Sequence, residues 1–157
     1  MDVGRWTTRS PGERVDDRVA LVRSNCAASL FDRADHVAVY APLTESTRGM
    51  VDADALDRLG PESVVVNVGR GPVVDADALL DALETDGIKA AGLDVLEAEP
   101  PEDDPLVGRS DTVITPHAAW YSEDARTDLN ESAADDIAAV FGGETPDGRV
   151  DPDADWL

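Results

Sequence analysis

The sequence has almost no lysine: of its 13 basic residues only Lys89 is one, and the rest are arginines. Cysteine occurs once, as Cys26, histidine twice, and aromatic residues make up 4% of the chain. A single cysteine excludes an internal disulfide and any site built from several thiolates, and no metal centre is expected. No stretch approaches the roughly 18 apolar residues that span a bilayer. The opening "MDVGRWTTRSPGERVDD" carries no apolar signal core. A soluble, cytoplasmic protein is expected. Against the 13 basic residues stand 34 acidic ones, for a formal net charge of -21. Such a surface repels nucleic acid and anionic membranes, which removes both as expected partners. Strongly acidic chains are often disordered, but 42% hydrophobic content and several β-branched runs supply a core here. A dense carboxylate surface nearly free of lysine suits a halophilic cytoplasm, where salt screens the self-repulsion.

What is present is alternation. Short apolar runs fall at "VALV" (19–22), "HVAVYA" (36–41), "SVVVNV" (63–68), "IKAAGLDVL" (88–96) and "TVIT" (112–115). The middle runs lack a polar face, as strands covered on both sides do. Between them lie amphipathic stretches at 52–59 and 75–85, each opened by an aspartate suited to a helix N-terminus. "SEDARTDLNESAADDIAAVF" (122–141) reads as one long helix, with Ser122 as N-cap and Gly142-Gly143 as the stop. Strand–helix–strand units of this length imply an open parallel α/β sheet. The expected organisation is an irregular segment at 1–18, an open α/β domain at 19–142 and a tail at 143–157.

The stretch "SVVVNVGRGPVVD" (63–75) admits two readings. Gly69-Arg70-Gly71 follows a strand and precedes a helix, and Asp94 lies at the end of the next strand, as in a dinucleotide fingerprint. Yet the third glycine position is Val74, and Pro72 has no N–H to offer a pyrophosphate. The alternative assigns the work to Arg70, whose guanidinium can grip a carboxylate bidentately from a strand end. A solvated arginine in a glycine turn is the bland counterpart.

Other strand ends carry a matching set. Asp94, Glu97 and Glu99 fall at or just past one terminus, and His117 and Trp120 past the next. In a parallel sheet these ends open on one edge, so Arg70, Asp94, Glu99 and His117 can converge. A carboxylate beside a histidine stabilises the imidazolium, which makes a tuned acid/base. Taken singly, His117 could be a backbone-bonded helix-entry histidine, Glu99 a surface turn acid and Trp120 simple packing. Co-location separates the set from those readings. His36, at a strand start, is expected to be structural.

The segment "VNVGRGPVVDADALLDALETDGIKAAGLDVLEAEPP…TVITPHAAWYSEDA" resembles the D-isomer-specific 2-hydroxyacid dehydrogenases. "TPHAAWYSE" is closest in flavour to the C-terminal-binding-protein branch. The likeness runs from about residue 19 onward and is most specific from Asn67 to Glu123. It implies that 19–142 is a partial, Rossmann-like NAD-binding domain, and an NAD-dependent enzyme (NADH or NADPH being unreadable) acting on the CH–OH group of a D-2-hydroxy acid. It also implies that Arg70 binds the substrate carboxylate, that His117 exchanges the proton, and that Glu99 assists it. By the same resemblance Pro42, Thr47, Val68, Gly69 and Asp94 contact the cofactor, with Arg70 and His117 beside it, and Trp120 lines the substrate pocket.

Departures accompany the likeness. The glycine fingerprint and first strands expected before residue 19 are absent from the reading, and the family's N-T-A-R-G is here Asn67-Val68-Gly69-Arg70-Gly71. The alternative is therefore a truncated, non-catalytic remnant or binding module, or one completed by a separate fragment. Two further expectations follow. Cofactor should bind weakly, and "HVAVYA" should form an unpaired sheet edge that drives self-association or pairing with a complementing fragment.

Overall fold

A computed structural model describes residues 3–5, 19–21 and 27–150. The chain divides into two compact units, Met1–His117 and Ala118–Leu157.

The first unit is built on a six-stranded, wholly parallel sheet. Its strands are β1 (Val3–Arg5), β2 (Val19–Leu21), β3 (His36–Val39), β4 (Val64–Asn67), β5 (Ala90–Leu93) and β6 (Thr112–Ile114), in spatial order β2-β1-β3-β4-β5-β6. Among the described residues it holds three α-helices: α1 (Ala27–Phe31), α2 (Ala53–Leu56) and α3 (Ala76–Glu84). The central strands alternate half-buried with fully buried residues and carry the core, with Val37, Val39, Val65, Ala91 and Leu93 inside. α3 forms because Asp75 caps it, its side chain accepting from Ala78 N–H at 3.0 Å, and because Leu79 and Leu83 repeat on one face. Burying a leucine as completely as Leu79 contributes about 1.5–3 kcal/mol. α2 is capped in the same way by Asp52, which accepts from Ala55 N–H at 2.9 Å.

Two expectations are corrected here. Residues 1–18 are not irregular throughout, since β1 lies among them. Nor is the strand at His36–Val39 an edge: Val3 pairs with His36 and Gly4 with Val37, so β3 is an interior strand. The described edges are β2 and β6. Composition misled because three residues with a modest apolar content suffice as a strand once a paired neighbour supplies the ladder. Helix α1 is likewise an element beyond the sequence expectation.

Sheet order reverses between β1 and β3, and the polar strand ends that concern function lie at the carboxyl ends of β4, β5 and β6. The loop after β4 is stitched to the loop before α2: Gly49 N–H donates to Pro72 O at 2.9 Å, Val51 N–H to Val73 O at 3.1 Å, and Asp75 N–H to Val51 O at 3.0 Å. Pro72 fits because only its carbonyl is needed there.

In the second unit, α4 (Glu123–Gly142) starts at Ser122, whose hydroxyl accepts from Ala125 N–H at 3.0 Å. It stops at Gly143, with φ of 77° in the left-handed region. Both ends agree with the sequence reading. No residue of α4 is buried, and Leu129, Ile137, Val140 and Phe141 are exposed. Among the described residues no helix is long and apolar enough to cross a membrane.

Candidate active site

The loop after β4 is fixed by its own asparagine. Asn67 is 1% exposed; its Oδ1 accepts from Gly69 N–H at 3.1 Å and its Nδ2 donates to the Arg70 carbonyl at 3.0 Å. Val68 N–H extends the ladder onto Val39 O at 3.1 Å. A Cβ on Gly69 would stand 2.7 Å from Ala41 O, and one on Gly71 would stand 1.9 Å from Leu96 O. The glycines are required because neighbouring loops approach backbone to backbone, rather than to cradle a phosphate. The N–H groups of Val73 and Val74 are spent within the 3-10 turn Gly71–Val73, on Arg70 O and Gly71 O at 3.1 Å each. Arg70, between the two glycines, is exposed and donates from its guanidinium to Gly69 O at 2.8 Å.

At the end of β5 the backbone N–H of Asp94 donates to Asn67 O at 2.9 Å. Its side chain is buried, and one carboxylate oxygen accepts a short hydrogen bond from the Thr115 hydroxyl. Glu99 follows on the same loop, with a cis bond to Pro100. Its Oε1 accepts from Leu96 N–H at 2.9 Å, and its Oε2 lies 2.7 Å from Nδ1 of His117. The His117 hydrogen bond foremost, then the Leu96 N–H, hold the Glu99 carboxyl below the usual glutamate range. Burial and the negative charge of Asp94 oppose them.

His117 follows β6 in a three-residue turn closed by its N–H on Thr115 O at 2.9 Å. Its φ of 53° is left-handed, a conformation that costs an L-residue about 1–2 kcal/mol and concentrates at functional sites. An ionised carboxylate only accepts, so facing Glu99 the ring carries a proton on Nδ1.

Asp94, Glu99 and His117 share one open pocket of about 380 Å³, walled otherwise by Leu96, Ile114, Thr115 and Pro100, Pro101 and Pro116. Three of the expected residues are thus brought together. Arg70 does not line this pocket; it sits one strand beyond Asp94, on the loop whose Gly71 packs against Leu96. Thr47, on the loop after β3, is buried. Its hydroxyl donates to Pro42 O at 2.6 Å and accepts from Thr44 N–H at 2.8 Å, so it shapes that loop, while Pro42 is exposed. Glu97 is exposed. Trp120 belongs to the second unit, exposed and edge-on to Tyr121 with ring centroids 5.5 Å apart. His36 is structural as expected, its Nδ1 accepting from Val64 N–H at 3.2 Å. Sequence reading missed Asn67 and Thr115 as polar ties. The only available signals were an asparagine ending an apolar strand and a hydroxyl just before a Pro-His pair. Among the described residues no cluster of three or more His, Cys, Asp or Glu is arranged to hold a metal ion.

Residues 1–119 match the family model described as D-isomer specific 2-hydroxyacid dehydrogenase, NAD binding domain. The match begins at residue 1, which corrects the expectation that the likeness starts near residue 19. The chain is 41% identical over 122 residues to a glyoxylate reductase of Korarchaeum cryptofilum, covering 77% of this chain and 37% of that protein. It is 34% identical over 148 residues to glyoxylate/hydroxypyruvate reductase B of Yersinia pestis, covering 94% and 45%. The chain thus spans less than half the length of these relatives. Among solved structures it is similar to a D-isomer specific 2-hydroxyacid dehydrogenase from Xanthobacter autotrophicus Py2 in complex with NADPH and MES. That likeness has a TM-score of 0.77 and 33% identity, over 96% of this chain and 61% of the other. The fold also matches D-lactate dehydrogenase with NAD+ from Lactobacillus jensenii, at a TM-score of 0.78 and 24% identity, over 96% and 48%.

Proposed function

Because the chain belongs to the D-isomer specific 2-hydroxyacid dehydrogenases through their NAD-binding domain, we propose that it carries the acid–base site of a nicotinamide-dependent oxidoreductase. Its substrate is a D-2-hydroxy acid or the matching 2-oxo acid, glyoxylate and hydroxypyruvate being the models that the relatives' names supply. The observation that carries the reading is the 2.7 Å contact between Glu99 Oε2 and His117 Nδ1 in a pocket.

The pocket suits the proposed cofactor. A buried carboxylate, Asp94, stands among Leu96, Ile114 and prolines, an apolar wall with a carboxylate beside it for a flat ring bearing an amide. Asp94 with Val68 and Gly69 would hold the nicotinamide end, and the Pro42–Thr47 loop the adenosine end. When bound, nicotinamide exchanges a hydride with C2 of the substrate. His117 Nε2 takes the hydroxyl proton in oxidation and returns it in reduction. Glu99 fixes the ring's tautomer and stabilises the imidazolium that forms. Arg70 releases Gly69 O and takes the substrate carboxylate in a bidentate grip.

The test is oxidation of NADH or NADPH at millimolar concentration by glyoxylate. His117→Gln should lose at least about a hundredfold in turnover, as removal of a general acid/base does. A wild-type rate matched by His117→Gln would sink the reading. A second reading, a 2-oxo-acid-binding module without turnover, is favoured by the lack of any G-x-G-x-x-G in the sequence. It predicts glyoxylate binding with no cofactor oxidation.

A further inference from the structure

We infer that Asn67 is a positioning residue for Arg70, acting through the donor end of its amide on the Arg70 carbonyl. The inference rests on the reading above only in taking Arg70 as the carboxylate-binding residue. Asn67 is 1% exposed, and both ends of its amide are committed to the loop that follows it. Which end faces which partner is dictated, since Gly69 N–H only donates and the Arg70 carbonyl only accepts. That carbonyl also receives Val73 N–H at 3.1 Å, so it is the point where β4 turns into the 3-10 turn.

The loop has little other freedom. Gly69 lies against Ala41 O and Gly71 against the Leu96 backbone, so neither flank of Arg70 can shift toward its neighbour. What remains adjustable is the tilt of the Arg70 carbonyl, which Asn67 Nδ2 holds together with Val73 N–H. The same residue ties the arginine to the acid–base pair. Asn67 O accepts Asp94 N–H at 2.9 Å, and Leu96, against which Gly71 packs, donates to Glu99. Arg70 and the Glu99–His117 pair are therefore held in one frame.

Asn67→Asp separates shape from donation. The side chain is isosteric and keeps an oxygen for Gly69 N–H. Its protonated carboxyl donates to Arg70 O; its ionised form cannot. Arg70 and Asp94, the charged residues tied to this position, are joined to it through backbone atoms. The measurements on the whole chain are glyoxylate titration, the Arg70 Nε–H resonance by 15N NMR, amide exchange at Gly69, and the thermal midpoint, each across pH. Relative to wild type, Asn67→Asp should match at the acid end and lose affinity about tenfold toward neutral pH, the value of one hydrogen bond. Asn67→Ala should be weakened by a constant ratio at every pH. An Asn67→Asp protein that tracks wild type throughout, or an Asn67→Ala protein with unaltered Arg70 resonance and affinity, overturns the inference. If Asn67→Asp does not fold, Asn67→Ala decides; if neither folds, Asn67 serves the fold and the inference falls. A wild type that ignores glyoxylate sinks the Arg70 reading, and Asn67 is then judged on the Arg70 resonance and Gly69 exchange alone.

Discussion

Glu99 divides its carboxylate between Leu96 N–H at 2.9 Å and His117 Nδ1 at 2.7 Å. A side chain at a loop thereby locks its own backbone and a residue from the next strand end. Both bonds favour the ionised form, so the folded carboxyl titrates below its unfolded value. The sign follows: the stabilisation is fully present above the unfolded value and is lost as pH falls through the lowered folded one. A carbon-detected titration should show Glu99 titrating below the ordinary glutamate range, and His117→Ala should move it back up. Titration within or above that range in the wild type would contradict the pairing.

The glycines of the Arg70 loop should rank by their contacts. Gly71→Ala drives a Cβ to 1.9 Å from Leu96 O and Gly69→Ala to 2.7 Å from Ala41 O, while Gly60 has nothing within 4 Å. Backbone atoms cannot swing aside, so Gly71→Ala should cost about 3 kcal/mol or more, Gly69→Ala less, and Gly60→Ala close to nothing. Urea denaturation gives the order. A Gly71→Ala protein as stable as Gly60→Ala would show that the β4 and β5 loops are not in contact.

Legibility in the sequence followed periodicity and capping chemistry. The runs holding β3 to β6 and the three long helical stretches were visible because buried parallel strands are uninterrupted apolar runs and Asp52, Asp75 and Ser122 announce N-termini. β1 was not, because Val3-Gly4-Arg5 is a strand only by virtue of its pairing on both sides. At the site, the residue types and strand-end positions pointed to Glu99 and His117 together. The bonds of Asn67 and Thr115 depend on how two loops approach, which no single segment encodes.

His36 offers a test of a half-buried acceptor. Val64 N–H donates to its Nδ1 at 3.2 Å across β3 and β4. Asparagine can place Oδ1 near that nitrogen, whereas alanine leaves the donor unmet at a cost of about 1 kcal/mol. His36→Asn should therefore be more stable than His36→Ala, despite asparagine's poorer fit to strands. Equal stabilities would remove the bond from the account.

Cofactor affinity should be low in this chain. Charge-assisted backbone hydrogen bonds to a pyrophosphate are worth roughly 1.5–3 kcal/mol each. The sequence has no G-x-G-x-x-G, and the N–H groups of Val73 and Val74 are already used. Calorimetry with NADH should give a dissociation constant weaker than micromolar. Binding at micromolar or tighter would mean that other groups grip the diphosphate.

Salt should stabilise the protein, and α4 shows why. Along it Asp124 faces Asp128 and Glu131 faces Asp135 at four-residue spacing, with Asp128 and Glu131 three apart. Each like-charge pair costs about 0.2–0.5 kcal/mol, so together they oppose the helix by about 1 kcal/mol. Among the described residues the offset on α4 is the ion pair of Arg126 with Glu123 at 2.8 Å, an exposed pair of the kind worth about 0–1 kcal/mol. Raising ionic strength from about 0.1 M to about 1 M shortens the screening length from roughly 10 Å to roughly 3 Å, which weakens both effects. Repulsion wins the count on α4, and the net charge of -21 says the same for the whole chain. Added KCl should raise the thermal midpoint by at least about 2–4 °C, the shift that 1 kcal/mol gives at this size. Asp128→Lys turns two repulsive pairs attractive, so it should raise the midpoint at low salt and flatten its rise with KCl. A midpoint that falls with KCl, or an Asp128→Lys protein with the wild-type salt response, would show that carboxylate repulsion does not limit stability.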